Sequence, residues 1–161
     1  MVVKARGASQ LRKGRRSEAN RIYHVTTVTC ERQPLFLDLR NARDVILSLR
    51  QQQELGSVSS LCFVVMPDHL HWLFALRRKK DLATVIRSVK TRSSRIINGR
   101  HRRLGSIWAP DFHDRAARYD DDILAMARYI VGNPVRAGLV PSIRFYPHWD
   151  AVWLRPGADL L

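Results

Sequence analysis

Cys62-Phe-Val-Val-Met-Pro-Asp-His-Leu-His-Trp-Leu-Phe-Ala-Leu76 is the stretch that decides the fold. Two apolar, β-prone runs, 58–66 and 69–76, flank the link Met66-Pro67-Asp68, which is so short that the runs should pair as a hairpin. Residues two apart on a strand point to the same face. His69 and His71 therefore project side by side from the second strand, while Leu70, Trp72, Phe74 and Leu76 line its other face. Two neighbouring neutral imidazoles are half of a divalent metal site.

Working outward, residues 21–30 are rich in β-branched and aromatic types and read as a first strand. Residues 38–54 open with Asp38 as an N-cap and carry Leu39, Ala42, Val45, Ile46 and Leu49 on one helical stripe, with Gly56 closing the helix. Residues 81–98 repeat the pattern with Asp81 as cap, an apolar stripe of Leu82, Val85, Ile86, Val89 and Ile96, and Gly99 as the stop. Residues 100–105 read as a basic loop, and 106–117 hold a strand at one or both ends. Asp120, Asp121 and Asp122 place negative charge at the start of a helix with Ile123, Ala127, Ile130 and Val131 on its core side. That helix should finish at Asn133, because Pro134 disfavours helical geometry in the residue before it. Residues 135–161 read as mostly irregular, with two tryptophans packing back. The first six elements match the split β-α-β pattern, so the expected fold is α+β and ferredoxin-like, with an antiparallel sheet. The expected organisation is a flexible basic arm over 1–20, one domain over 21–150 and a tail over 151–161.

The 161 residues suit a single domain with a sizeable core. Lys and Arg number 28 against 14 Asp and Glu, and the formal charge of +14 calls for a polyanionic partner, nucleic acid first. Arg12, Lys13, Arg15, Arg16, Lys90, Arg92, Arg95, Arg102, Arg103 and Arg115 are the candidate phosphate contacts. Trp108 and Phe112 are candidates for base stacking, although core packing is the favoured reading for both. No apolar run reaches membrane-spanning length, and the basic N-terminus lacks an apolar segment of the signal-peptide kind. Cys30 and Cys62 read as buried thiols in a reducing cytoplasm.

A second constellation lies on the last helix. Tyr129 and Asn133 are four apart and so lie one above the other. Alone, a tyrosine there reads as a boundary residue, and an isolated His-x-His reads as structural. Together they say more: the Asn133 carbonyl is a hard oxygen donor suited to Mg²⁺ or Mn²⁺, and it would hold Tyr129 one turn from the ion.

The segments Met66-Pro-Asp-His-Leu-His71, Ile107-Trp-Ala-Pro-Asp-Phe-His-Asp-Arg115 and Ala127-Arg-Tyr-Ile-Val-Gly-Asn-Pro-Val-Arg-Ala-Gly-Leu-Val140 resemble the REP-associated tyrosine transposases, members of the HUH (His-hydrophobic-His) superfamily. The resemblance spans residues 20–150. It implies a ferredoxin-like nuclease core with Tyr129 as the nucleophile and a divalent metal, Mg²⁺ or Mn²⁺, on His69, His71 and Asn133. The implied substrate is single-stranded DNA beside a hairpin from a palindromic repeat, cut through a 5′-phosphotyrosine link. His113 and Arg115 become plausible helpers. The implied setting is cytoplasmic and nucleoid-associated, and a monomer is favoured over a dimer. Tyr23, Tyr119 and Tyr146 read as structural. Two rivals stand: a ferredoxin-like module that binds single strands without catalysis, and a zinc hydrolase, for which no His-Glu-x-x-His motif or dense Cys/His cluster exists.

Overall fold

The computed structural model describes residues 20–77, 80–118 and 120–154. Its chain order is β1 (Ile22–Val28), α1 (Leu39–Glu54), β2 (Val58–Met66), β3 (His69–Leu76), α2 (Leu82–His101), β4 (His113–Ala116), α3 (Ile123–Val131), α4 (Asn133–Arg136) and β5 (Trp149–Ala151). The strands form one antiparallel sheet in the order β4-β1-β3-β2-β5. Its first four strands follow the expected split β-α-β arrangement, and the architecture is α+β. No helix among the described residues is long and apolar enough to cross a membrane.

The sheet has a helix layer on each side. On one face, Tyr23, Val25, Val65, Leu70, Trp72, Phe74 and Leu76 pack against Ala42, Val45 and Leu49 of α1 and Val85, Ile86, Val89 and Ile97 of α2. On the other, Cys62, Val64, Met66 and Leu73 pack against Ala127, Ile130 and Val131 of α3 and Ala151 of β5. A bulge in β2 makes both possible. The register shifts between Ser60, opposite Phe74, and Cys62, opposite Leu73. The extra residue turns Cys62, Val64 and Met66 toward α3 while Phe63 and Val65 meet the other layer. The two buried indoles of the larger core are matched: Trp72 and Trp108 donate to Ser60 and Ser93, each at 2.9 Å, whereas the buried Thr27 hydroxyl has no partner among the described residues.

Several boundaries differ from expectation. Helix α2 runs through Gly99 and stops where Arg102 turns left-handed (φ 51°) and donates its N–H to the Asn98 carbonyl. Helix α3 ends at Val131, two residues early. Pro134 does not stop a helix; it opens the short α4, a position where its missing N–H costs nothing. β5 falls in the stretch expected to be irregular, adds a fifth strand to the edge of β2, and runs into the segment taken as tail. Trp108 and Phe112, 1% and 6% exposed, are core residues and supply no stacking surface. Cys62 is buried as expected, whereas Cys30 is only half-buried, its thiol bonded to the Trp108 carbonyl at 3.0 Å. The basic arm over 1–19, Tyr119 and residues 155–161 lie outside the described residues.

Candidate active site

Alternation along β1 and β3 builds the site. Tyr23, Val25 and Thr27 turn into the larger core, so His24, Thr26 and Val28 face the opposite way, opposite Leu73, His71 and His69. β4 continues that face, with His113 opposite Thr26 and Arg115 opposite His24. Helix α3, which carries Tyr129, packs on this same face. The sheet therefore brings His24, Thr26, His69, His71, His113 and Arg115 onto one surface.

Each histidine of the pair has one ring nitrogen engaged. His69 Nδ1 lies 2.6 Å from Asp68 Oδ1, and the other Asp68 oxygen lies 3.6 Å from Arg32 Nε. The hairpin turn that presents Asp68 is pinned by its own carbonyls: Thr29 N–H donates to Asp68 O (2.9 Å) and Phe36 N–H to Pro67 O (3.0 Å). His71 Nδ1 lies 3.0 Å from Thr26 Oγ1 and 3.1 Å from His24 Nε2. The His69 and His71 rings meet edge to face, centroids 5.0 Å apart. Burial, reinforced by the neighbouring His69, His24 and Arg136, pushes the His71 pKa down to about 3, so its imidazole is neutral at physiological pH. Burial, with Arg115 nearby, also lowers His24.

A metal-ligating histidine commonly gives its second ring nitrogen to a carboxylate, hydroxyl or other polar partner, which fixes ring orientation and tautomer. His69 and His71 fit that pattern, with Nδ1 held and Nε2 left as the donor atom. Among the described residues no group of three or more His, Cys, Asp or Glu stands ready for a metal. Asn133, the expected oxygen donor, lies at the start of α4. The Asn133 amide N–H donates to Ile130 O at 2.8 Å, which leaves its oxygen uncommitted.

Asp122 caps α3, its carboxylate accepting from Ala125 N–H at 3.0 Å. Ile130 and Val131 point inward, and Tyr129 lies 65% exposed beside them. Arg136 folds back from α4 so that its guanidinium sits 3.8 Å from the centre of the Tyr129 ring and donates to the Tyr129 carbonyl. Arg115 is paired with Asp121 at 3.1 Å, which ties β4 to the loop before α3.

The basic candidates divide. Arg12, Lys13, Arg15 and Arg16 lie outside the described residues. Lys90, Arg92 and Arg95 sit on α2, across the sheet from the histidines. Lys90 Nζ donates to the carbonyls of Ala109 and Asp111 (2.8 and 2.9 Å), and Arg92 to Ser48. Arg103 donates to Gln33, and Arg102 is exposed as the C-cap of α2. On the histidine side, Arg128, Arg136 and Arg144 rim a cleft floored by Val131, Ile143 and Trp149. Sequence reading did not single out these three, nor His24, Thr26 or Asp68. The alternation of β1 signals His24 and Thr26 only once its partner strand and register are known.

The described residues thus form an antiparallel ferredoxin-like sheet with a histidine pair on one face and a tyrosine-bearing helix packed on that same face. The family model "Transposase IS200 like" matches residues 17–133, and the chain belongs to that family of transposases. Among solved structures it is similar to a REP-associated tyrosine transposase bound to a REP hairpin: TM-score 0.68, 23% identity, covering 84% of this chain and 79% of that one. It is also similar to a protein from Deinococcus radiodurans R1 described as a transposase: TM-score 0.54, 19% identity, covering 74% of this chain and 95% of that one. No curated protein matches the chain.

Proposed function

We propose that this transposase is a metal-dependent single-stranded DNA endonuclease and strand transferase that acts on hairpin-containing repeats through a 5′-phosphotyrosine link at Tyr129. The observation that carries the reading is the shared face: α3 packs on the side of the sheet from which His69 and His71 project, and Arg136 bears on both Tyr129 and His71. The hairpin-bound structural relative supports the substrate class.

His69, His71 and the Asn133 oxygen would hold Mg²⁺ or Mn²⁺, which when bound supplies positive charge to the scissile phosphate. Asp68 orients His69, and Thr26 with His24 orients His71. Burial keeps His71 neutral and able to donate a lone pair. The Tyr129 oxygen attacks phosphorus, its proton passing to solvent or to a nearby base, and the bond from phosphorus to the 3′ oxygen breaks. That oxygen leaves as a free 3′ hydroxyl, and the 5′ phosphate stays on tyrosine. Attack by a 3′ hydroxyl on the link rejoins DNA, so bond energy is conserved without a nucleotide cofactor. The exposed phenol is open to a polymeric substrate.

The test is a single strand carrying a palindromic repeat from beside the chain's own gene, labelled on its 3′ side. The native chain with Mn²⁺ should acquire label that survives denaturing electrophoresis. Tyr129→Phe should bind the strand and take no label, and His69→Ala should lose metal-dependent labelling. Label on Tyr129→Phe would move the nucleophile elsewhere, Tyr119 first. Binding without label by the native chain would leave a non-catalytic binding module.

A further inference from the structure

The contact between Arg136 and Tyr129 is built with some care. An exposed arginine side chain ordinarily samples many rotamers, yet this one turns back along the chain, stacks on the ring at 3.8 Å and donates to the carbonyl of the same tyrosine. No other side chain among the described residues bonds to or stacks on the phenol. The space for this comes from Gly132. A Cβ at that position would lie 2.7 Å from Arg136 Nη1 and 3.1 Å from the Arg128 carbonyl. Gly132 has φ −71° and ψ −4°, which any residue adopts, so backbone freedom does not require glycine here; room for the guanidinium does.

We propose that Arg136 is the positioning residue for Tyr129, its stacked guanidinium holding the phenol in one orientation over the strand-binding face, with Gly132 present to admit it. This rests on Tyr129 being the nucleophile. A ring free to rotate about its first side-chain torsion would spend most of its time out of line with a phosphate, and misplacement on that scale typically costs about 100-fold in rate.

The experiment is single-turnover adduct formation at saturating DNA with Mn²⁺, alongside strand affinity as a function of salt. Arg136→Ala should slow adduct formation about 10- to 100-fold and leave affinity and its salt dependence unchanged. Guanidinium ion, well below denaturing concentration, should restore much of the Arg136→Ala rate. Arg136→Lys should stay slow, because an ammonium cannot both stack on the ring and reach the carbonyl. Gly132→Ala keeps the arginine but displaces it, the tightest contact being with the far end of a flexible side chain and the next with the Arg128 carbonyl, and it should slow the rate without rescue by guanidinium. An unchanged Arg136→Ala rate would overturn the proposal. So would a loss seen only as weaker binding with a salt slope shallower by about 0.7, the mark of a phosphate contact to a single strand, or failure of guanidinium to rescue. Label on Tyr129→Phe would instead sink the underlying assignment of the nucleophile, a separate and distinguishable result.

Discussion

Replacing Asp68 with Asn tests whether His69 is built as a metal ligand. The carboxylate lies 2.6 Å from His69 Nδ1, and the two side chains are 27% and 19% exposed. Asparagine keeps the volume and an acceptor oxygen but removes the charge. A hydrogen bond to a charged group contributes about 1.5–3 kcal/mol, and a neutral one about 0.5–1.5. The difference is about 1–1.5 kcal/mol, near the 1.4 kcal/mol that makes a factor of about ten. Partial exposure holds the effect at this low end of the roughly 10- to 100-fold range for such supporting partners. The turn survives, because Thr29 bonds to the Asp68 backbone carbonyl and not to its side chain. Adduct rate measured against Mn²⁺ concentration should show a midpoint about ten times higher, with the native rate recovered at saturation. An unchanged midpoint would refute the assignment of Asp68 to this role. A rate that stays low at saturating Mn²⁺ would place Asp68 in the chemistry itself.

Ile130, 1% exposed beneath α3, anchors the helix that carries Tyr129; Ile130→Ala should cost about 2–5 kcal/mol in denaturant unfolding, and a loss well under this would mean α3 is not docked. Burial pushes the Cys62 thiol up to about 12, so at pH 8 it stays protonated and should resist thiol reagents until the chain is unfolded, while the half-buried Cys30 reacts first. Equal, rapid reaction of both thiols would contradict the buried position of β2. Arg128 and Arg144 are exposed on the histidine side, and alanine at either should lower single-strand affinity and flatten the salt slope by about 0.7. Arg95→Ala, on the far layer, should change it less; the reverse order would put the strand across α2.

The strands and helices that carry the site were legible because each has a clean period: two in β3, which sends His69 and His71 one way and Leu70 and Trp72 the other, and three to four in α1 and α2. What was not legible depends on contacts distant in sequence. β5 is three residues long and exists through pairing with Cys62, Phe63 and Val64, so no local pattern announces it. The bulge that lets β2 serve two cores is a register event between Ser60 and Cys62. Gly99 reads as a helix stop, but glycine is tolerated inside a helix; the stop comes three residues later, at a left-handed arginine. His24 became a site residue only when β1 was found beside β3. Asp68 reads as a turn residue, and its carboxylate turns out to orient the histidine next to it. Arg136 and Gly132 sit inside the distinctive last motif, yet their contact is visible only in the fold, where the arginine lies over Tyr129 in the space that glycine leaves.

Trypsin offers the most direct check. It should release residues 129–136 as one peptide, Tyr-Ile-Val-Gly-Asn-Pro-Val-Arg, and residues 119–128 as another that carries Tyr119. After reaction with repeat DNA and nuclease trimming, mass spectrometry of the native chain should find the nucleotide phosphate on the 129–136 peptide. A nucleotide on the 119–128 peptide, or unmodified peptides from a preparation that has cut DNA, would contradict Tyr129 as the group that takes the strand.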